Sequence, residues 1–156
     1  MKGQLRKDEA AAATELGYMF TFLLGVILLS MFSWWAFDIE TSTRERWNEQ
    51  AIDANMADIA AAVERADQAS RDGSDVHYAE RVEWRPTEAD ESLFRLSLNS
   101  EMIELDHEED LLDRQKPISG TNSGTYDGQI SLSGLKYVWV IYEDGVTSLS
   151  THRPNF

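Results

Sequence analysis

The sequence predicts an α+β protein: a long N-terminal helix, transmembrane at first and continuing outside the membrane, packed on a small antiparallel β-sheet. Three observations predict it. Residues Leu16 to Phe37 form an uncharged apolar run, LGYMFTFLLGVILLSMFSWWAF. From Thr41 to about Ala69 the chain is rich in Ala, Glu, Arg and Gln, with no Pro or Gly. Beyond Asp72 the apolar spacing changes to period two, punctuated by turn residues, which is the mark of short strands.

The apolar run has 22 residues, and its only polar side chains are Thr21, Ser30, Ser33 and the Tyr18 hydroxyl. A helix of that length spans about 33 Å, enough for the hydrocarbon core of a bilayer. The rest of the chain is polar, so one span is expected. Lys2, Arg6 and Lys7 precede the run, whereas Asp38 and Glu40 follow it before the next base, Arg44. Basic residues beside a span favour the cytoplasm. The expected topology is single-pass in the cell membrane, N-terminus inside and C-terminal domain outside. A removable secretory signal has a shorter apolar core and an A-x-A site. This run ends instead in Trp34, Trp35, Ala36 and Phe37. Trp34 and Trp35 are therefore assigned to the outer headgroup level, where indole rings concentrate.

The expected organisation is a basic tail over 1–15, a transmembrane helix over 16–37, an extracytoplasmic helix over 38–72 and an antiparallel β-domain over 73–156. In the outer helix Ile52, Met56, Ile59, Val63 and Ala66 recur at alternating spacings of four and three. That is a narrow apolar seam on one face, with Asp53, Asp58, Glu64 and Asp67 largely off it. So short a seam suits docking on strands of the same chain better than a coiled coil. Asp72 to Asp75 read DGSD, turn chemistry that stops the helix.

Strand candidates follow in order. Val76 to Tyr78 and Val82 to Trp84 are short, and Pro86 breaks the second. Leu93 to Leu98 alternates, and Asn99-Ser100 connects it as a hairpin to Met102–Leu105. His107 to Gly128 is expected to be a long polar surface connection with some order at Leu111 and Leu112. Gln129 to Leu132 alternates again. Tyr137 to Tyr142 is the strongest strand, and the Asp144-Gly145 turn returns it to Val146–Leu149. The sum is a sheet of four to six strands that needs a cover, which the helix supplies.

Composition excludes several functions. The chain has 156 residues with 28 Asp and Glu against 14 Lys and Arg, a net charge of −14. That argues against a nucleic-acid partner, which selects a basic face. Cysteine is absent. Disulfides, thiolate metal sites and a Cys nucleophile are thereby excluded. His77, His107 and His152 share no ligand spacing and are expected at the surface. The acidic run Asp106 to Asp110 lacks the alternation and glycine of a calcium loop, so it reads as a solvated charge run. No G-x-S-x-G, S-x-x-K, P-loop or G-x-G-x-x-G is present. The Gly120 to Gly128 stretch reads as a flexible loop without the Lys of a phosphate cradle. No catalysis and no cofactor is expected.

Three acids and three bases precede position 38, which leaves 25 acids against 11 bases beyond it. Lys is scarce, four against ten Arg. Such a surface stays hydrated at high salt, where screening removes self-repulsion. A salt-loving source is expected on that ground.

Glu9 to Tyr18 read EAAAATELGY, which places small residues and one acid directly before the span. A carboxylate at that edge is costly to bury unless paired. Basic tail, small residues, an acid beside Leu16-Gly17-Tyr18, then an unbroken apolar helix: this resembles the N-terminus of archaeal type IV pilin-like proteins, particularly the single-pass families of haloarchaea. The resemblance covers the first 40 residues and loosely the helix-then-strands layout. It implies a prepilin peptidase that cuts before the apolar helix and leaves that helix on the mature subunit. It also implies a Glu at the fifth mature position that pairs with a neighbour's N-terminal amine. If Glu15 takes that role, the cut falls between Ala10 and Ala11. Gly3-Gln4 is a second candidate, because archaeal prepilins often cut near a basic-Gly-Gln sequence. Gly17 and Gly25 lie two turns apart on similar faces. They either admit close helix approach or are ordinary membrane-helix composition.

The expected function is a pilin-like subunit or accessory of a filament, secretion or adhesion system. Its partners would be the lipid bilayer and like or related subunits through the apolar helix. The alternative is a non-polymerising, membrane-anchored binding or sensory module.

Overall fold

The computed structural model describes residues 2–72, 76–108, 112–119 and 125–156, with side chains described from Thr14 onward. Helix α1 runs from Lys2 to Ser70. No Pro or Gly interrupts it after Gly25. It stops in a tightened turn, where Arg71 N donates to Gln68 O at 3.2 Å and Asp72 N to Ala69 O at 3.1 Å. The DGSD turn signal thus falls where the helix ends, although Gly73 to Asp75 lie outside the described residues.

Two compact units divide the chain, residues 1–44 and 45–156. In the first, every side chain of the apolar run is exposed, from Leu16 at 67 % to Phe37 at 71 %. The second holds the hydrophobic core and every strand among the described residues. A continuous strand β1, Tyr78–Glu83, merges the two short candidates of that region. β2 is Phe94–Leu98, preceded by a single 3-10 turn at Glu91–Leu93. β3 is Met102–His107, β4 Arg114–Pro117, β5 Thr125–Asp127, β6 Gln129–Ser131, β7 Tyr137–Glu143 and β8 Val146–Ser150.

The expected α+β class is therefore observed, with a helix packed on antiparallel-rich sheets. The strands form two four-stranded sheets, ordered β1-β7-β8-β5 and β4-β3-β2-β6. Among the described residues all pairings are antiparallel except β5 with β8. The two sheets share one segment. Thr125–Asp127 pairs with β8, the chain turns at Gly128, and Gln129–Ser131 pairs with β2. Gly128 has φ +140°, and a Cβ there would lie 2.7 Å from Leu149 N. Only glycine fits that conformation and that approach.

The seam on α1 docks as its spacing predicts. Ile52, Met56, Ile59, Val63 and Ala66 are all within 1 % of complete burial. They share one core with Val82, Val138, Val140 and Leu149 of the first sheet and Phe94, Leu96, Ile103 and Leu105 of the second. Burial of each large aliphatic or aromatic side chain stabilises by about 1.5–3 kcal/mol. The helix also makes polar clasps. Asn55 Oδ1 accepts from Arg85 N at 2.9 Å while its amide donates to Arg85 O at 2.9 Å. Backbone polar groups just past β1 are thus satisfied by a helix side chain.

The β7–β8 hairpin turns at Asp144 and Gly145, with φ +50° and +82°. Both central residues are left-handed, as a two-residue type I′ turn requires. At the β2–β3 hairpin Asn99 Oδ1 accepts from Glu101 N at 2.9 Å and Met102 N at 2.8 Å.

Three expectations are corrected. The connection from His107 to Gly128 contains β4, the buried Ile118 and β5. β4 reads RQKP, with no apolar residue to announce it, because it is an edge strand held by backbone pairing to β3. Second, His107 is 4 % exposed. It ends the inward alternation Ile103, Leu105, His107 of β3, and its ring lies 4.8 Å from the Phe94 ring. His77 and His152 are exposed. Third, the expected single sheet of four to six strands is two four-stranded sheets, because the chain turns at Gly128 between the segment that pairs with β8 and the one that pairs with β2; Asp67, off the seam as expected, is nonetheless buried. In the acidic run Asp106 and Glu108 are exposed, and Glu109 and Asp110 lie outside the described residues.

Candidate functional site

Two surfaces bear on function, and each belongs to one unit. The first is the apolar stretch of α1. One helical window there reaches a mean hydropathy of 2.0 and is long and apolar enough to cross a membrane. Its hydroxyls do not break that character. Thr21 Oγ1 donates to Gly17 O at 2.9 Å, Ser30 Oγ to Val26 O at 2.8 Å and Ser33 Oγ to Leu29 O at 2.9 Å. These three hydroxyl protons are thus satisfied within the helix, as a lipid-facing helix requires.

The sequence-derived candidates map onto this stretch as follows. Glu15 is exposed. A Cβ added at Gly17 or Gly25 would meet nothing within 4 Å, so their faces are open. Trp34 and Trp35 are 80 % and 60 % exposed, and Trp35 lies 6.0 Å from Phe32 ring to ring. The processing candidates Gly3, Gln4, Ala10 and Ala11 fall in the helical backbone, and their side chains lie outside the described residues. Past the run, Arg44 pairs with Glu40 at 2.7 Å across one helical turn.

The second surface is the head, residues 45–156. It carries several clefts. One, of about 640 Å³, is lined by Glu45, Asn48, Asp90, Leu93, His107 and Leu112, among others. Asp90 caps the 3-10 turn, with Oδ1 accepting from Ser92 N at 3.0 Å and Ser92 Oγ at 2.6 Å. Those bonds, with His107 nearby, hold its carboxyl below the usual range. Another groove, of about 430 Å³, runs beside Trp47. Trp47 is 66 % exposed, and it is not among the residues that the sequence patterns single out. A large aromatic in an otherwise polar stretch of helix, off the Ile52 seam, is the only signal it offers.

Ion pairs clasp α1 to the strands. Arg65 makes a bidentate pair with Glu80, at 2.8 and 2.6 Å, and Tyr78 also donates to Glu80. The Arg65 guanidinium pulls the Glu80 carboxyl below its ordinary value, against the opposing effect of partial burial. Burial, then the hydrogen bond to Glu80, raises the Tyr78 phenol. Buried Asp67 accepts from Tyr126 OH at 3.0 Å and from Arg71 at 2.8 Å. Burial first, and the Asp67 bond second, push the Tyr126 phenol up to about 12. Arg114 reaches Glu49 at 2.9 Å and Asp53 at 3.4 Å. Apart from the Asp67–Arg71 pair at the end of the helix and the Tyr78–Glu80 bond within β1, each of these contacts closes α1 onto a strand or loop.

No protein-family model, curated protein or solved structure matches the chain.

Proposed function

We propose that the chain is a membrane-anchored, pilin-like subunit or accessory of an archaeal type IV pilus-like filament, secretion or adhesion system. The observation that carries this reading is α1. One helix contains an apolar stretch exposed on every side and, farther along, a seam fully buried against strands. The exposed stretch requires a non-aqueous environment. In lipid it stores the subunit. On assembly it exchanges lipid for like helices, where Gly17 and Gly25 admit close approach and Glu15 is neutralised by a partner's N-terminal amine. A prepilin peptidase would first free the new N-terminus, between Ala10 and Ala11 or near Gly3-Gln4. The acidic head faces the outside of the cell, and its charge suits a halophile.

Mass spectrometry of the protein from its native membranes tests the reading. Loss of residues 1–10, or of the first few up to Gly3, is expected. An intact N-terminus in the membrane fraction would remove the pilin assignment. The 640 Å³ cleft at His107 favours a second reading, an anchored binding or sensory module that never polymerises. That module would keep its N-terminus and form no filaments under electron microscopy.

A further inference from the structure

Residues 151–156, THRPNF, leave β8 without continuing the sheet. Register and reach fix their path. β8 ends at Ser150, which pairs with Trp139 of β7. The chain bends at Thr151 and His152, where His152 N donates to Ser150 Oγ at 3.1 Å. At the far end the Phe156 ring lies 5.0 Å from the His77 ring. His77 directly precedes Tyr78, the partner of Tyr142, and its Nδ1 is 3.8 Å from Glu143 Oε1. The segment therefore starts on β8 beside Trp139 and finishes two strands over, beside the opposite end of β7. Four residues along and two strands across make a diagonal of about 16 Å. Six residues reach at most about 20 Å. So little slack leaves a direct path over β7.

Alternation fixes the face that is crossed. Val138, Val140 and Tyr142 are buried in the core shared with α1. Tyr137, Trp139 and Ile141 therefore point away from it. Arg81 marks the same outer side, since it is exposed and its guanidinium lies 4.5 Å over the Tyr137 ring. With the inner face filled, the outer face is the one open to the segment. Trp139, Ile141 and Pro154 are all half-buried, as two surfaces in contact require. We propose that residues 151–156 are a strap that crosses the outer face of β7, shields Trp139 and Ile141, and lifts while the sheet stays folded.

Two features make the strap displaceable. Its hydrogen bonds among the described residues are local, joining Ser150, Thr151 and His152 to one another. Even the three-residue β5 is tied to β8 by a run of paired residues, which the strap lacks. The anchor at its end is a ring pair, and Phe156 remains 52 % exposed within it. A segment held by few buried contacts and no ladder opens at a free energy well below that of global unfolding. Lifting it joins Trp139 and Ile141 to Tyr137, which is already 37 % exposed, in one apolar stripe along β7. The strap thus decides whether an otherwise strongly acidic head presents an apolar surface. Every residue involved lies within 45–156, so the device is independent of processing and of filament growth.

The test uses the full chain in phospholipid vesicles, with Trp34, Trp35 and Trp47 replaced by Phe. Acrylamide quenching then reads Trp139, because the remaining Trp84 is 4 % exposed. Deleting residues 151–156 should raise the quenching constant about twofold while hydrogen-exchange protection of β7 and β8 is kept. Phe156→Ala and His77→Ala should each give part of that rise, and the double variant should add nothing to the larger of the two. With the strap intact, Trp139 should become quenchable at a lower urea concentration than the one at which β7 and β8 lose protection. Quenching that ignores the deletion overturns the proposal, because the strap then shields nothing. Loss of β7 and β8 protection on deletion, or coincident urea transitions, overturns it as well, because the segment is then an integral part of the sheet.

Discussion

The same helix contains two apolar regions that solve opposite problems. Residues 16–37 are apolar on every side and exposed on every side. Residues 52–66 are apolar along one narrow seam, and that seam is buried to within 1 %. The difference lies in how apolar residues are distributed around the helix axis. A full circumference cannot be covered by one small β-domain, so it selects a surrounding solvent of its own kind. A stripe flanked by Asp53, Asp58 and Glu64 directs one face onto strands, and the buried side widens beyond it to Asn55, Ala60 and Ala62, leaving only Asp53 and Arg65 of residues 52–66 exposed. The polar details agree. In the first region hydroxyls fold back on carbonyls one turn away, whereas in the second polar groups reach other elements, as Asn55 reaches Arg85 and Asp67 reaches Tyr126.

Substitutions that exchange the two regimes should break this contrast. The largest effect is expected from Ile59→Asp, which buries an unpaired carboxylate in the common core. The head should fail to fold while the chain still sediments with membranes. The milder Ile59→Ala should cost about 2–5 kcal/mol in denaturant titration of the detergent-solubilised chain. Conversely, Ile27→Arg near the middle of the run should cost about 2.5–3.5 kcal/mol in membrane insertion. Its signature is a shift of product from the membrane to the aggregated or soluble fraction, with no change in the head's denaturation midpoint if the two regimes are independent. A comparable loss of head stability would show that the contrast is false.

Gly128→Ala sharpens the comparison from the strand side. The positive φ and the 2.7 Å approach to Leu149 N both oppose a Cβ, so about 2–3 kcal/mol of destabilisation is expected. Asp67→Ala should cost about 1–3 kcal/mol by leaving Tyr126 OH without its acceptor, and Tyr126→Phe should cost less.

The smallest effects are those of pH. Glu80 has a folded value below its unfolded one, held there by Arg65. Its contribution is present above about pH 4.5 and is lost as pH falls through the lower folded value. Because Arg65 is half exposed and solvent screens the pair, about 1 kcal/mol or less is at stake. Tyr126 is the reverse case, raised from 10.0 to about 12. Its contribution is full below pH 10 and is lost as pH rises towards 12. Denaturation midpoints of wild type and Arg65→Ala should converge in acid. Those of wild type and Tyr126→Phe should converge in alkali.

Legibility followed the kind of signal each segment carries. The apolar run, the Ile52 to Ala66 seam, the β2–β3 and β7–β8 hairpins and the Asp144-Gly145 turn are local patterns, and each is found where its pattern lies. β4 was not legible, since Arg114 to Pro117 offers no alternation and owes its conformation to β3. β5 was hidden because three residues pairing in parallel with β8 depend on a partner some twenty residues away. His107 was misjudged from its acidic neighbours, although the Ile103, Leu105, His107 alternation was there to be read. Of the candidate site, Glu15, Gly17, Gly25, Trp34 and Trp35 came from the residues themselves, whereas Trp47 became visible only once its exposure was known.

What the amino-acid order determines alone is where apolar side chains sit around each element. That suffices for one helix, a span-length stretch, a docking seam and a set of strands, because periodicity is a property of neighbours in sequence. Tertiary structure decided how the strands divide into two sheets, why Gly128 must be glycine, and which side chains beside the seam are buried. Those outcomes depend on distances between residues far apart in sequence, and such distances exist only after the core has closed.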